Sequence, residues 1–262
     1  MPSLSDNVLT VAQFPCLSDN YGFLIHCEST GQTAAIDTPE ASAYKNELKR
    51  RGWKLTHIFN THHHLDHTGG NLELKSDGVL VYGPSSEKIP GMDVGLKGGD
   101  EIEFGGTKAH IIDVGGHTLG HLSYHFPKEN IAFVGDSLFA LGCGKMFEGS
   151  PSQFWESLKR LRELPDDTTI YCAHEYTSSN AKFALAIEPG NSALVSRAEE
   201  IKATRERGEP TVPSNLGVEK QTNPFLRCDM SAEIRQNIGV KISDSDADVF
   251  GRIRKAKDKF RG

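Results

Sequence analysis

No lysine or arginine occurs before Lys45, and the five cysteines (Cys16, Cys27, Cys143, Cys172 and Cys228) never form a C-x-x-C pair. The first absence argues against an Arg-rich transit peptide. The second, with an odd and scattered count, argues against a disulfide framework and for reduced thiols in the cytoplasm. No apolar run approaches the roughly 20 residues that span a bilayer. Positive charge is not in excess either: the formal net charge is −6, against the broad basic footprint of a nucleic-acid binder. Internal repeats and low-complexity tracts are also lacking. What remains is an ordinary globular composition, 37% hydrophobic and 24% charged over 262 residues. That length suits one large domain, or a large and a small one, with a core that needs no cross-links. The expectation is a soluble monomer that engages neither nucleic acid nor membrane.

Two kinds of pattern divide the chain. Up to about Tyr176, short β-rich runs recur between Gly, Asn and Asp turn signals: Val8–Phe14, Gly22–Cys27, Thr33–Asp37, His57–Asn60, Val79–Tyr82, Lys108–Val114, Leu122–Phe126, Ile131–Gly135 and Thr169–Cys172. Helices are expected at Pro39–Arg51, closed by Gly52, and at Ser152–Leu164, closed by Pro165. Many strands with few helices suggest two sheets face to face with helices outside. Beyond Thr177 the pattern is helical, at Ser179–Ala186, Ser192–Arg207 and Asp246–Phe260, with loops at Gly208–Ser214 and Asn223-Pro224. The expected division is a β-rich domain over 1–176 and a helical domain over 177–262.

Chemistry gathers behind the strands. His57–Asn60 runs into Thr61-His62-His63-His64-Leu65-Asp66-His67. In extended backbone residues i and i+2 share a side, so His62 and His64 can meet at one ion. Asp66 and His67, on a turning backbone, can face a second. A polar loop that merely happens to be His-rich is the bland alternative, but this run is internal, patterned and directly behind a strand. Three further strand ends offer donors: Gly116-His117-Thr118-Leu119-Gly120-His121, Val134-Gly135-Asp136 and Cys172-Ala173-His174-Glu175-Tyr176. Each alone is weak, since a Gly-Asp is more often a turn and a single His more often structural. Together with the first cluster they supply seven donors, the number two four- to five-coordinate metals need. Imidazole and carboxylate serve several divalent metals, with zinc first and iron or manganese as alternatives.

His-x-His-x-Asp-His at 62–67, followed by Gly-His-Thr, Gly-Asp and a later His, resembles the metallo-β-lactamase superfamily and, more narrowly, the glyoxalase II family. Stretches similar to that family include Leu17–Tyr21, Thr61–Asn71, His117–Tyr124, Gly135–Gly149, Tyr171–Thr177, Glu209–Ser214, Asn223–Arg227 and Arg254–Phe260, nearly the whole length. The resemblance implies an α+β fold, a four-layered α-β-β-α sandwich with a C-terminal helical domain that helps to hold glutathione. It assigns one metal to His62, His64 and His117, the other to Asp66, His67 and His174, and makes Asp136 the bridge. His121 is the neighbour that could be mistaken for His117, and the family pattern favours His117. Asp37 is either an orienting partner of a ligand or a turn residue.

The implied reaction is hydrolysis of S-(2-hydroxyacyl)glutathione, typically S-D-lactoylglutathione, to D-lactate and glutathione in methylglyoxal detoxification. Asp66 and Asp136 are the expected catalytic carboxylates, holding the metals across which a hydroxide nucleophile lies. The thiolate leaves without a dedicated acid because a thiol pKa is about 8.5. Lys145, Tyr176, Arg254 and Lys257 fall on glutathione-contacting positions of the family. Arg254, Lys257 and Arg261, spaced i, i+3 and i+7, would share one helix face, although without the resemblance a solvated basic helix end, favoured by the helix dipole, is the better reading. Phe147 departs from the family, which commonly has Tyr there. The lost hydrogen bond, worth about 0.5–1.5 kcal/mol, implies weaker substrate binding with the chemistry intact. The nearest rival is a glutathione persulfide dioxygenase of the same fold with a single iron, which needs no second ligand set. A trypanothione thioesterase is closer still, but Arg254 and Lys257 point to glutathione. A β-lactamase would carry Cys at Asp136, a flavodiiron protein a carboxylate at His64, and an RNA-processing nuclease a basic arm.

Overall fold

Leu9–Cys16 (β1), with Leu9, Ala12 and Cys16 buried, and a fully buried Asn20–Cys27 (β2) make an antiparallel hairpin, with Cys16 opposite Asn20 across a three-residue turn. In this computed structural model, which describes residues 8–241 and 243–262, the hairpin opens a six-stranded sheet. Gln32–Ile36 (β3) pairs antiparallel with β2. Helix Ala41–Arg51 (α1) then carries the chain over to His57–Phe59 (β4), parallel to β3. α1 ends where Gly52 takes the left-handed conformation (φ 69°) and its N–H caps Leu48 and Lys49. Two single-turn helices, Leu65–Thr68 (α2) and Asn71–Leu74 (α3), precede the parallel strands Leu80–Pro84 (β5) and Val94–Leu96 (β6). A four-stranded antiparallel run follows: Glu101–Phe104 (β7), Thr107–Asp113 (β8), Leu122–Phe126 (β9) and Ile131–Gly135 (β10).

The chain forms two compact units. The first takes residues up to Asp113 together with Gly120–Gly135, and so contains all the elements above. Its two sheets pack face to face through aromatic residues. Phe59 stacks on Tyr124 at 5.3 Å and meets the edge of Phe104 at 5.5 Å, while Phe23 meets Phe133 at 5.6 Å. α1 covers the outer face of the first sheet. Ala41 and the fully buried Tyr44 pack there with Ala12, Leu24, Ala35, Ile58 and Val81, and the Tyr44 hydroxyl donates to Ile36 O at 3.1 Å.

The second unit takes Val114–Leu119 and Asp136–Gly262. A minimal hairpin, Leu138–Phe139 (β11) and Gly142–Cys143 (β12), precedes helix Pro151–Arg162 (α4). α4 is capped by Ser150, which accepts from Gln153 N, and has Pro151 at its first position. Its apolar stripe meets Asp246–Lys259 (α9), Phe154 and Trp155 packing on Phe250 at 5.4 and 6.3 Å. Between them in sequence lie Thr169–Cys172 (β13), Thr177–Ile187 (α5), Ser192–Glu206 (α6), Ser214–Asn215 (β14), Leu216–Thr222 (α7) and Ala232–Asn237 (α8). α9 opens with a capping box between Ser245 and Asp248.

Sequence reading located the long elements to within two or three residues. It missed β6, β7, β11, β12, β14, α2, α7 and α8, which are too short for periodicity to register. α7 is capped at its start by Asn215, whose side chain accepts from Val218 N. No described helix is long and apolar enough to cross a membrane.

Candidate metal centre

In the first unit the loop after β4 is built around one carboxylate. Asp37, directly after β3, is buried with φ 54°, in the left-handed region that Asp tolerates better than most residues. Its Oδ1 accepts the Thr61 N–H at 2.7 Å, and Oδ2 accepts the Thr61 hydroxyl at 2.9 Å and lies 2.8 Å from His67 Nδ1. With the His67 Nδ1 proton donated to Asp37, the ring presents Nε2 towards Asp66, whose Oδ2 is 3.6 Å away. Of the two readings of Asp37, the orienting one describes the contacts it makes. His62 Nδ1 lies 3.0 Å from the Thr61 hydroxyl, and its Nε2 lies 3.0 Å from His64 Nδ1. That convergence is what the extended-backbone argument requires. Asp66 and His67 turn away because α2 begins at Leu65.

Two positioning groups escaped the sequence reading. The Asn20 amide donates to Asp66 O at 3.2 Å and to its Oδ2 at 3.3 Å. Glu87 Oε2 accepts the His63 N–H at 2.8 Å and lies 2.9 Å from His63 Nδ1, while Oε1 accepts the Gly120 N–H at 2.9 Å. Thus one carboxylate ties the His-rich loop to the start of β9. A Glu in a turn carries no local signal of such a task. His121 is fully buried, with its ring stacked 4.6 Å from that of His62.

The second unit holds the remaining expected ligands. Asp136 Oδ2 lies 3.4 Å from His117 Nε2, and Oδ1 lies 3.3 Å from His174 Nε2. Each carboxylate oxygen therefore faces its own imidazole. His117 is fixed from behind, since its Nδ1 lies 2.7 Å from Lys145 O. Gly144 must be glycine: a Cβ there would stand 2.0 Å from Asp136 O and 2.9 Å from His117 Nδ1. His62, His64, Asp66 and His67 come together in the first unit, and His117, Asp136 and His174 in the second. The donor set is chemically suited to divalent cations: buried imidazole nitrogens directed by carbonyl or carboxylate partners, carboxylates beside them, and no thiolate.

Around His117 and His174 stands an aromatic and basic wall. Tyr176, 37% exposed, stacks flat on His174 at 4.7 Å, and Phe147, 59% exposed, lies 5.3 Å from the His117 ring with Lys145 Nζ 5.0 Å above it. Arg254 is only 6% exposed: one guanidinium nitrogen donates to Cys143 O at 2.8 Å, another to Asp258 at 3.1 Å, and its buried Nε has no hydrogen-bond partner among the described residues. Lys257 Nζ donates to Ser179 O at 3.0 Å. Burial, with Arg254 nearby, pulls the Lys257 ammonium down from 10.5 to about 8. The expected three-residue basic face is a two-residue one. α9 ends at Lys259, Phe260 is extended, and Arg261 turns back to Asp258 O and Phe260 O.

A two-sheet core with imidazoles and carboxylates clustered at its strand ends is the arrangement of the metallo-β-lactamase superfamily, whose family model matches residues 28–174. The solved structure of ETHE1 from Myxococcus xanthus has this fold with a TM-score of 0.64 and 25% identity, over 94% of this chain and 97% of that one. The chain belongs more narrowly to the hydroxyacylglutathione hydrolase family. The family model for the hydroxyacylglutathione hydrolase C-terminus matches residues 175–260. The hydroxyacylglutathione hydrolase of Erythrobacter litoralis is 52% identical over 97% of this chain and 100% of its own length; that of Maricaulis maris is 52% identical over 96% and 99%.

Proposed function

We propose that this chain hydrolyses the thioester of S-(2-hydroxyacyl)glutathione, S-D-lactoylglutathione in particular, to D-lactate and glutathione in methylglyoxal detoxification. The observation that carries this reading is Asp136, each of whose oxygens faces a different histidine, as a carboxylate shared by two cations must. Full-length relatives bearing the hydrolase name support it over the persulfide dioxygenase, as does a second ligand set in Asp66, His67 and His174. His62, His64 and His117 would hold one divalent metal, Asp66, His67 and His174 the other, and Asp136 both. Zinc fits the set first, iron or manganese next. When bound, such a pair supplies Lewis acidity for the thioester carbonyl and a hydroxide at neutral pH.

The chain's own residues do the rest. Asp37 and the Lys145 carbonyl fix the rings of His67 and His117. Asn20 holds Asp66. Lys145, Phe147 and Tyr176 line the approach, and Arg254 and Lys257 supply positive charge for the glutathione carboxylate, Arg254 in part by shaping the Cys143 backbone. The matched ranges 28–174 and 175–260 support a catalytic domain over 1–176 and a substrate-binding helical domain over 177–262. Five buried free thiols suit the reducing cytoplasm.

The direct test is thioester turnover by the purified protein, with metal content measured on the same sample. Turnover with two metals per chain is expected. A preparation holding two metals yet inert towards S-D-lactoylglutathione rejects the assignment; one iron, with oxygen uptake on glutathione persulfide, supports the dioxygenase.

Lys257 sets a pH signature. Its folded-state pKa is lowered to about 8, so the charge is present below that pH and lost as pH rises through it. KM for the thioester is expected to climb between pH 7 and 9. Lys257→Arg, whose guanidinium stays charged, should flatten that climb. Identical KM profiles for the two proteins would rule out Lys257 as a substrate-binding cation.

A further inference from the structure

The β11–β12 hairpin, Leu138–Phe139 against Gly142–Cys143, is too short to hold its own shape. Its turn residue Leu141 is fully buried with φ 57°, a conformation that a branched side chain takes up only under constraint. The constraint comes from side chains of the C-terminal helices. Asn180 donates to Ala140 O at 3.1 Å, and Asn223 donates to Phe139 O and Gly142 O, each at 3.0 Å. Arg254 donates to Cys143 O. Against these donors stands one acceptor: the Leu141 N–H donates to Glu219 Oε2 at 2.9 Å.

Glu219, on α7, is fully buried. Oε2 also accepts from Asn223 at 3.0 Å, and Oε1 accepts from the Arg197 guanidinium and the Ser214 hydroxyl. The carboxylate therefore fixes Leu141 directly and aims the amide of Asn223 at two hairpin carbonyls. The hairpin is the short link between Asp136 and Gly144-Lys145. Gly144 packs on the Asp136 carbonyl, and Lys145 O holds His117 Nδ1 at 2.7 Å. A shift of the hairpin therefore moves the carbonyl that sets the His117 ring, and with it the 3.4 Å approach of His117 Nε2 to Asp136.

We propose that Glu219 is a positioning residue for hydrolysis, holding the Leu138–Cys143 hairpin so that the Lys145 carbonyl keeps His117 aimed at the position shared with Asp136. This rests on reading His117 and Asp136 as metal ligands of the hydrolytic centre. The C-terminal helices then tune the chemical step as well as binding substrate.

The test is Glu219→Gln in the full chain, compared with wild type for kcat and KM on S-D-lactoylglutathione, metal content, and hydrogen exchange at the Leu141 amide. At full metal loading kcat is expected to fall about tenfold, the scale of lost second-sphere partners, with KM little changed and the Leu141 amide exchanging faster. Wild-type kcat overturns the proposal, as does a kcat loss that only tracks lost metal or lost folded protein. If Glu219→Gln does not fold, Ser214→Ala removes one hydrogen bond from the same carboxylate without changing charge. A smaller kcat loss at unchanged KM supports the proposal, and wild-type kcat overturns it. An inert wild-type protein would instead defeat the hydrolase assignment itself, so the two failures are separable.

Discussion

Asp136→Ala is expected to lower kcat/KM for S-D-lactoylglutathione about a thousandfold, the equivalent of roughly 4 kcal/mol of transition-state stabilisation. Metal content should fall below two per chain in the same protein. Asp136 is where the largest single loss must fall, because its two oxygens lie 3.4 Å from His117 Nε2 and 3.3 Å from His174 Nε2. On the proposed assignment, removing it would take a donor from both cations at once, and it leaves two buried imidazoles without the carboxylate between them. Any other expected ligand serves one metal alone. Asp136→Asn keeps the shape and one acceptor oxygen, so it should retain more metal than the alanine variant while still losing most turnover. An alanine variant with two tightly held metals and near wild-type kcat would show that Asp136 bridges nothing.

Chelation should be nearly as damaging and, unlike mutation, reversible. Dialysis against a strong chelator is expected to reduce thioester turnover at least about a hundredfold, because no side chain here can activate water as well as a cation that brings its pKa near 7. Readdition of zinc, iron or manganese should restore activity in proportion to the metal regained, up to two per chain. The same experiment settles which metal serves best, since the donor set of imidazoles and carboxylates accepts several. Apoprotein should also melt at lower temperature than holoprotein, because the ions bind only the folded chain. Activity that survives complete metal removal would overturn the metal-dependent reading.

Residues with a local rhythm were legible in the sequence. The strands Leu122–Phe126, Ile131–Gly135 and Thr169–Cys172 fall where β-rich runs between turn residues put them. His62 and His64 converge because extended backbone repeats every two residues. What stayed hidden was anything set by partners far along the chain. Glu87 sits in a turn that reads as surface, yet it grips His63 and Gly120. Glu219 looks like one more solvated helix charge until Leu141, 78 positions away, is brought to it. The β11–β12 hairpin has two residues per strand, fewer than any period can mark. Arg261 errs the other way. Its spacing fits a continuing helix, but α9 stops at Lys259 and the implied basic face loses its third member.

Asp37 carries a consequence for how this sequence can vary. Its backbone lies in a region open mainly to Gly, Asn and Asp, while its side chain must accept two hydrogens from Thr61 and one from His67. Glycine satisfies the backbone and abandons the imidazole. Glutamate offers the charge but strains the chain. Asparagine fits the space and places an amide N–H where a lone pair is wanted. One position is thus bound by two unrelated demands, conformational and electrostatic, and their overlap is a single amino acid. The supports of a metal centre can leave less room for drift than the ligands themselves.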